Sequence, residues 1–342
     1  MLLPAREDYR RVLSLLMNQF EKQREEQAAQ EWPQGRRGRR FSYSQRLLLL
    51  FFLQMHHQRR TSFESQHRWL LLHRHQARQM GFAQVPHRTT LMRRYKQLSR
   101  FLSPLIAFIG QWSRALAPAK ASVAGARLVL HDKSLWKASG PVWHQRDRQA
   151  QVVPAGVKRL DKHATWGKSG YHGWVFGFGL HLSVDEHGFP LRAGVETACV
   201  SEGQVVARQE EALLGLGATD IVGDDSYTNL ERSRRFARQG VAWLAPGKKL
   251  KTKGEARAYK RWVQQEHNQQ VLRRRRRIEP VFELLSQIAG TGDNHKQLPV
   301  QGQGRVSSFL LGCVVLAQVA MILNRVWNLP PANISHMMAV WG

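Results

Sequence analysis

Acidic residues and cysteine are what this chain is short of. Its 342 residues hold 25 Asp plus Glu against 52 Lys plus Arg, a formal net charge of +27. Such an excess of one sign repels itself and raises the cost of compaction, so it points to a polyanionic partner. Nucleic acid is the first choice and an anionic membrane surface the second. The only cysteines are Cys199 and Cys313, which excludes a disulfide framework and a thiolate zinc site and suits a reducing compartment. Long apolar runs are scarce as well. The N-terminal MLLPAREDYRRVLSLL brings in Glu7 and Asp8 before any apolar stretch, unlike a secretory signal. The one long run, residues 306–323, contains Ser307, Ser308 and Gln318 and is at the short end for a membrane span, so a buried core helix is expected there. With 42% hydrophobic residues and 11 Trp, the chain has enough apolar material for a packed core, which excludes wholesale disorder.

Three regions separate by composition. Residues 1–119 hold 21 Lys/Arg and 7 Asp/Glu, with apolar residues at helical spacing and little glycine. That pattern predicts an all-α region. The polar stretch 21–40 reads as an exposed linker ending in a basic cluster, and SQRLLLLFFLQMHHQ after it as a buried helix. Between 62 and 102, short helices separate at Gly81 and Pro86. There HRTT followed by LMRRYKQLSRFL suits the second helix of a helix-turn-helix, with Thr89 or Thr90 as N-cap and Arg93, Arg94 and Lys96 facing DNA. The same pattern also suits an ordinary helical bundle with a solvated basic face. Histidines 56, 57, 67, 73 and 75 cluster here without the third ligand or carboxylate set of a metal site, and are expected in solvent or facing phosphate.

From about residue 120 the character changes. ARLVLHD is a short apolar run ending in Asp132, and FGFGLHLSVDEHGFPLRAGVETACV suits two strands around a turn at His187-Gly188. A helix over 204–217, a strand at TDIVGDD, a helix over 228–240 ending at Gly240 and a strand at VAWLAP follow. This order predicts an α/β unit with a mixed sheet, in which ligand-binding carboxylates tend to lie at strand ends. The apolar helix after it is expected to pack back onto the sheet. The division expected is 1–119 for the helical region, 120–329 for the α/β region and 330–342 for a tail.

Position selects among the acids. Asp132 and Asp224 each close an apolar strand, and Glu279 stands beside the Ile278, Phe282 and Leu285 stripe of a helix. Alone, each has an ordinary reading as a turn, cap or surface ion pair. Together, three converging carboxylates make an oxygen-rich site suited to two Mg²⁺ ions acting on a phosphodiester.

Over about 125–325 the chain resembles the DDE transposases of bacterial insertion sequences, within the retroviral-integrase (RNase H-like) superfamily, and more narrowly the IS-four/IS-five group. LVLHDKSLW is similar to the first-Asp strand, and IVGDDSYTN to the D-x-G-Y block, which selects Asp224 through Tyr227 three residues on and adds Tyr227 to the candidate DNA contacts. Against the signature Y-x2-R-x3-E-x6-K, Glu279 and Arg275 match, whereas Leu272 and Ser286 stand at the Tyr and Lys positions. The resemblance implies an RNase H-like mixed five-stranded sheet with flanking helices, preceded by the helical DNA-binding region. It further implies a metal-dependent enzyme with Asp132, Asp224 and Glu279 on two Mg²⁺ or Mn²⁺ ions. Such an enzyme binds terminal inverted repeats, frees a 3′-hydroxyl and joins it to target DNA, as a dimer or larger assembly in the bacterial cytoplasm at the nucleoid. The spacings of 92 and 55 residues between the acids leave no room for a large β insertion before Glu279.

Basic residues accompany these acids. Between 248 and 277 stand 12 Lys/Arg, Lys248, Lys249 and Arg273, Arg274, Arg276 and Arg277 among them, against Glu255 and Glu266. A basic run beside a site for phosphodiester is where an electrostatic clamp belongs. Lys168 is a further candidate phosphate contact. Trp243 and Trp262 suit either stacking on an unpaired base or the core. A repurposed DNA-binding protein without catalysis, and a nuclease that cuts without joining, fit the same residues.

Overall fold

The computed structural model describes residues 5–31, 43–112, 127–170, 173–251, 253–291, 296–331 and 333–341. The first third is helical throughout its described part: α1 (Arg6–Glu31), α2 (Gln45–His57), α3 (Phe63–Leu72), α4 (Arg74–Met80), α5 (Arg88–Gln97) and α6 (Ser99–Gln111). Helix α1 runs on through residues 21–31, where the polarity predicts a linker, because Glu, Lys, Gln, Arg and Ala are strong helix formers whatever their polarity. The basic cluster at 36–40 lies outside the described residues. Ser44 and Ser62 cap α2 and α3 through their hydroxyls, and Gly81 ends α4 in the left-handed conformation. The N-cap of α5 is His87, whose ring accepts the Thr89 N–H. Thr89 and Thr90, the caps expected from sequence, lie inside its first turn.

The α/β part follows as β1 (Leu128–Lys137), α7 (Gln145–Gln149), β2 (Thr165–Ser169), β3 (Gly173–Asp185), β4 (Pro190–Thr197), α8 (Glu202–Leu214), β5 (Asp220–Val222), α9 (Leu230–Arg238), β6 (Ala242–Leu244), α10 (Gly254–Val263), α11 (Glu266–Arg273), α12 (Glu279–Ala289), α13 (Gln303–Val326) and α14 (Ser335–Trp341). β3 pairs antiparallel with both β1 and β4, while β5 and β6 run parallel to β1 on its other side. The order β4-β3-β1-β5-β6 is the five-stranded mixed sheet of an RNase H-like fold. The short β2 is an addition, pairing with the first residues of β3 beyond β4.

Helix α13 explains the odd composition of its sequence. It is long and apolar enough to cross a membrane, yet every residue from Val306 to Asn324 is buried, so it is a core helix. It packs against β4, α6, α12 and α5. Its polar residues stitch those neighbours together: Gln318 donates to the Ile106 and Pro190 carbonyls, and Ser308 donates to the Tyr95 carbonyl and accepts from the Ser99 N–H. Each satisfies backbone groups that burial would otherwise leave unpaired. The helical region and the sheet thereby share one hydrophobic core.

Candidate active site

Strand β1 continues past its parallel neighbour. Pairing with β5 ends at Leu130 opposite Val222, and extending that register by two residues sets Asp132 level with Asp224. Asp132 therefore sits within β1 just past the point where its parallel partner β5 ends. Its side chain is only 16% exposed. Burial pushes its carboxyl up to about 7. The charges of Asp224 and Glu279 add to that rise, while the Lys133 N–H at 2.8 Å and the Arg275 guanidinium oppose it.

Asp224 caps the 3₁₀ turn Asp225–Tyr227, accepting from the N–H and hydroxyl of Ser226. Below it the Tyr227 ring is fully buried against His131 and Trp243. A Cβ on Gly223 would lie 2.7 Å from that ring, so glycine is needed for the close approach. Tyr227 thus packs beneath the acid and offers no surface to DNA, contrary to its place among the expected DNA contacts. Asp225 is used locally: its Oδ1 accepts the Lys248 N–H at 2.7 Å. That bond holds the loop bearing Lys248 and Lys249, both exposed, beside the second acid.

Glu279 opens α12, followed by Pro280 in the first turn, where a missing N–H costs nothing. Its side chain is 60% exposed and so faces outward, while Ile278, Phe282 and Leu285 are buried as expected. One turn earlier, Arg275 reaches both acids: 2.9 Å to Asp132 and 3.6 Å to Glu279. The remaining arginines divide. Arg274 and Arg277 bind the side chain and carbonyl of Glu186 in the β3–β4 turn, anchoring the 3₁₀ segment Arg274–Ile278, whereas Arg273 and Arg276 are exposed.

Other expected contacts are not gathered here. Lys168 pairs with Trp174 on β2, eight residues along β3 from the partner of Asp132, about 26 Å at about 3.3 Å per residue. Arg93 and Lys96 are exposed on α5, and Arg94 donates to Gln45. Trp243 is core and Trp262 half-buried on α10. His56 and His57, expected in solvent, are buried, because α2 turns that face into the core. His56 lies 2.6 Å from the Tyr95 hydroxyl.

A residue that the sequence does not single out completes the face. Asp132, Ser134 and Trp136 alternate onto one side of β1, and there Lys296 donates to Ser134 at 2.9 Å and lies over the Trp136 and Phe282 rings. Ser286, at the signature's Lys position, is fully buried. Lys296 provides a cation on this face, and nothing in GTGDNHKQ marks it.

Among the described residues no three His, Cys, Asp or Glu side chains are grouped closely enough to hold a metal ion. The donor chemistry nevertheless fits a hard divalent cation, since the acids offer only oxygens and Asp132 is held off its ordinary value by burial and like charge. Residues 152–296 match the family model described as a transposase DDE domain, a range that includes Asp224 and Glu279 and begins after Asp132. No curated protein and no solved structure matches the chain.

Proposed function

We propose, from the transposase DDE domain at residues 152–296, that the chain is a DNA transposase whose acids are Asp132, Asp224 and Glu279. The observation that supports it best is the Arg275 guanidinium spanning Asp132 and Glu279 while Asp224 raises the same Asp132 carboxyl. Three acids separated by 92 and 55 residues thus share one electrostatic neighbourhood. Held by their oxygens, two Mg²⁺ or Mn²⁺ ions would supply activation of the attacking oxygen and stabilisation of the leaving one.

The chain's own residues do the rest. Asp132 is fixed within β1 two residues past the end of its parallel pairing with β5, Asp224 is fixed just beyond β5, and the exposed Glu279 can adjust. Arg275, Lys296, Lys248, Lys249 and the exposed Arg273 and Arg276 draw in and orient the phosphodiester. The overall reaction is hydrolysis at the end of a terminal inverted repeat to free a 3′-hydroxyl. That hydroxyl then displaces a 3′-oxygen in target DNA. Two ends must meet, so a dimer or larger assembly on double-stranded DNA belongs to this reading.

The test combines the purified chain, duplex carrying its element's end and a plasmid target, in Mg²⁺ and in EDTA, for wild type and Glu279→Gln. Metal-dependent cleavage and joining, both lost in the variant, is the expected result. Tight binding without product would instead favour a DNA-binding protein that has lost catalysis, a reading supported by Leu272 and the buried Ser286 at two signature positions. Cleavage without joining would make it a nuclease.

A further inference from the structure

A cavity of about 390 Å³ opens beyond the carboxyl end of β1, lined by Lys96, Lys162, His163 and Arg305. Its one acid, Asp161, is buried in the wall, its carboxylate taken up by the Gly302 and His163 N–H groups. The cavity therefore presents cations to the outside. It also lies between two basic features. On one side the exposed residues Thr89, Arg93 and Lys96 of α5, with Arg100 after it, recur at helical spacing and lead to its rim. On the other side, Gln301 donates to the Ser139 carbonyl, residues 296–298 bridge in parallel to Lys137 at the end of β1, and the Lys296 side chain reaches Ser134 on the face that bears Asp132 and its partner Arg275.

We propose that this cavity is a phosphate-binding site that grips the backbone of duplex DNA between α5 and the acids. The proposal rests on DNA being the substrate and deepens that reading by assigning Lys96, Lys162 and Arg305 to one contact point. Strand β1 runs on five residues past Asp132 to Lys137, about 17 Å, and Ser139 lies just beyond its end. That run is about five base-pair steps of about 3.4 Å. One duplex can therefore lie across the acids, Lys296, the cavity and α5. The contact is to phosphate, so it is independent of base sequence.

The experiment measures binding to an arbitrary duplex of about 30 base pairs as a function of salt, since each phosphate that is no longer neutralised lowers the slope of log K against log salt by about 0.9. The triple variant Lys96→Gln, Lys162→Gln, Arg305→Gln and the double variant of the exposed Lys96 and Lys162 are compared with Arg238→Gln on α9, past the far edge of the sheet. A slope lowered by about 0.9 in the triple variant and by most of that in the double, with Arg238→Gln at the wild-type value, is expected. The double variant keeps the test valid if Arg305 proves necessary for folding. An unchanged slope in a folded double variant would overturn the site even if the wild type cleaves DNA. A lowered slope in a chain that never cleaves would uphold the site and overturn the catalytic reading. A wild type that does not bind duplex would overturn both.

Discussion

Arg275 holds Asp132 and Glu279 by the same charge logic that would let a metal ion hold them. Replacing it with Gln leaves a buried carboxylate facing two like charges, and should cost the metal-free protein about 1–3 kcal/mol. Mg²⁺ or Mn²⁺ should then raise the Tm of Arg275→Gln more than that of the wild type, a comparison made by thermal shift. Asp132 gives the second residue-scale prediction. A carboxyl whose folded value of about 7 lies above its ordinary 3.8 binds its proton more tightly folded than unfolded. The penalty for ionising it is absent at low pH, develops as pH rises between these values and is complete above the upper one. At about 1.4 kcal/mol per unit it is at most about 4 kcal/mol. Metal-free wild type should therefore lose several degrees of Tm between about pH 5 and pH 8. Asp132→Asn should lose distinctly less. Equal pH dependence in the two would show that Asp132 ionises without strain.

At the scale of elements, the apolar runs make β1, β3, β4, β5 and β6 legible in sequence, and the Gly-flanked helical periods do the same for α8 and α9. β2 is not legible, because TWGKS is short, glycine-bearing and lacks alternation, and becomes a strand only by pairing with Trp174 and its neighbours on β3. The α1 extension is hidden because its polarity suggests a loop where helix propensity governs. Asp132 and Glu279 can be found from strand ends and motif. The Arg275–Asp132 leg of their bridge spans 143 residues of sequence, and no local pattern encodes it. Close packing between elements is similarly hidden. Gly110 of α6 lies against β4, where an added Cβ would meet the Leu191 carbonyl oxygen at 2.6 Å. In an exposed helix Gly→Ala stabilises by about 1 kcal/mol. Here Gly110→Ala must push α6 off the sheet, and a loss of about 1–3 kcal/mol is expected in urea unfolding. A gain would mean that the helix and sheet slide apart freely.

For the whole molecule the decisive quantity is +27. Internal ion pairs such as Arg232–Glu210, Arg235–Glu231 and Lys133–Glu202 neutralise only part of the basic surface, since there are about half as many acids as bases. The free protein is thus strained by self-repulsion at low ionic strength, and two salt effects of opposite sign should follow from this one cause. Screening lengths shrink from about 14 Å near 0.05 M to about 6 Å near 0.3 M salt, so the free chain's Tm should rise over that range. On the proposed function, duplex DNA would relieve the same repulsion by binding. At about 0.05 M salt it should raise the Tm by several degrees, and this gain should vanish near 0.5 M, where the counterions released on binding are no longer scarce. Over about 0.05–0.2 M the affinity itself should fall at least about a thousandfold if six or more phosphates are neutralised. A free-chain Tm that falls with salt would mean that ion pairs within the fold outweigh the net repulsion. A duplex-induced gain that persists at high salt would place the binding energy in contacts other than charge.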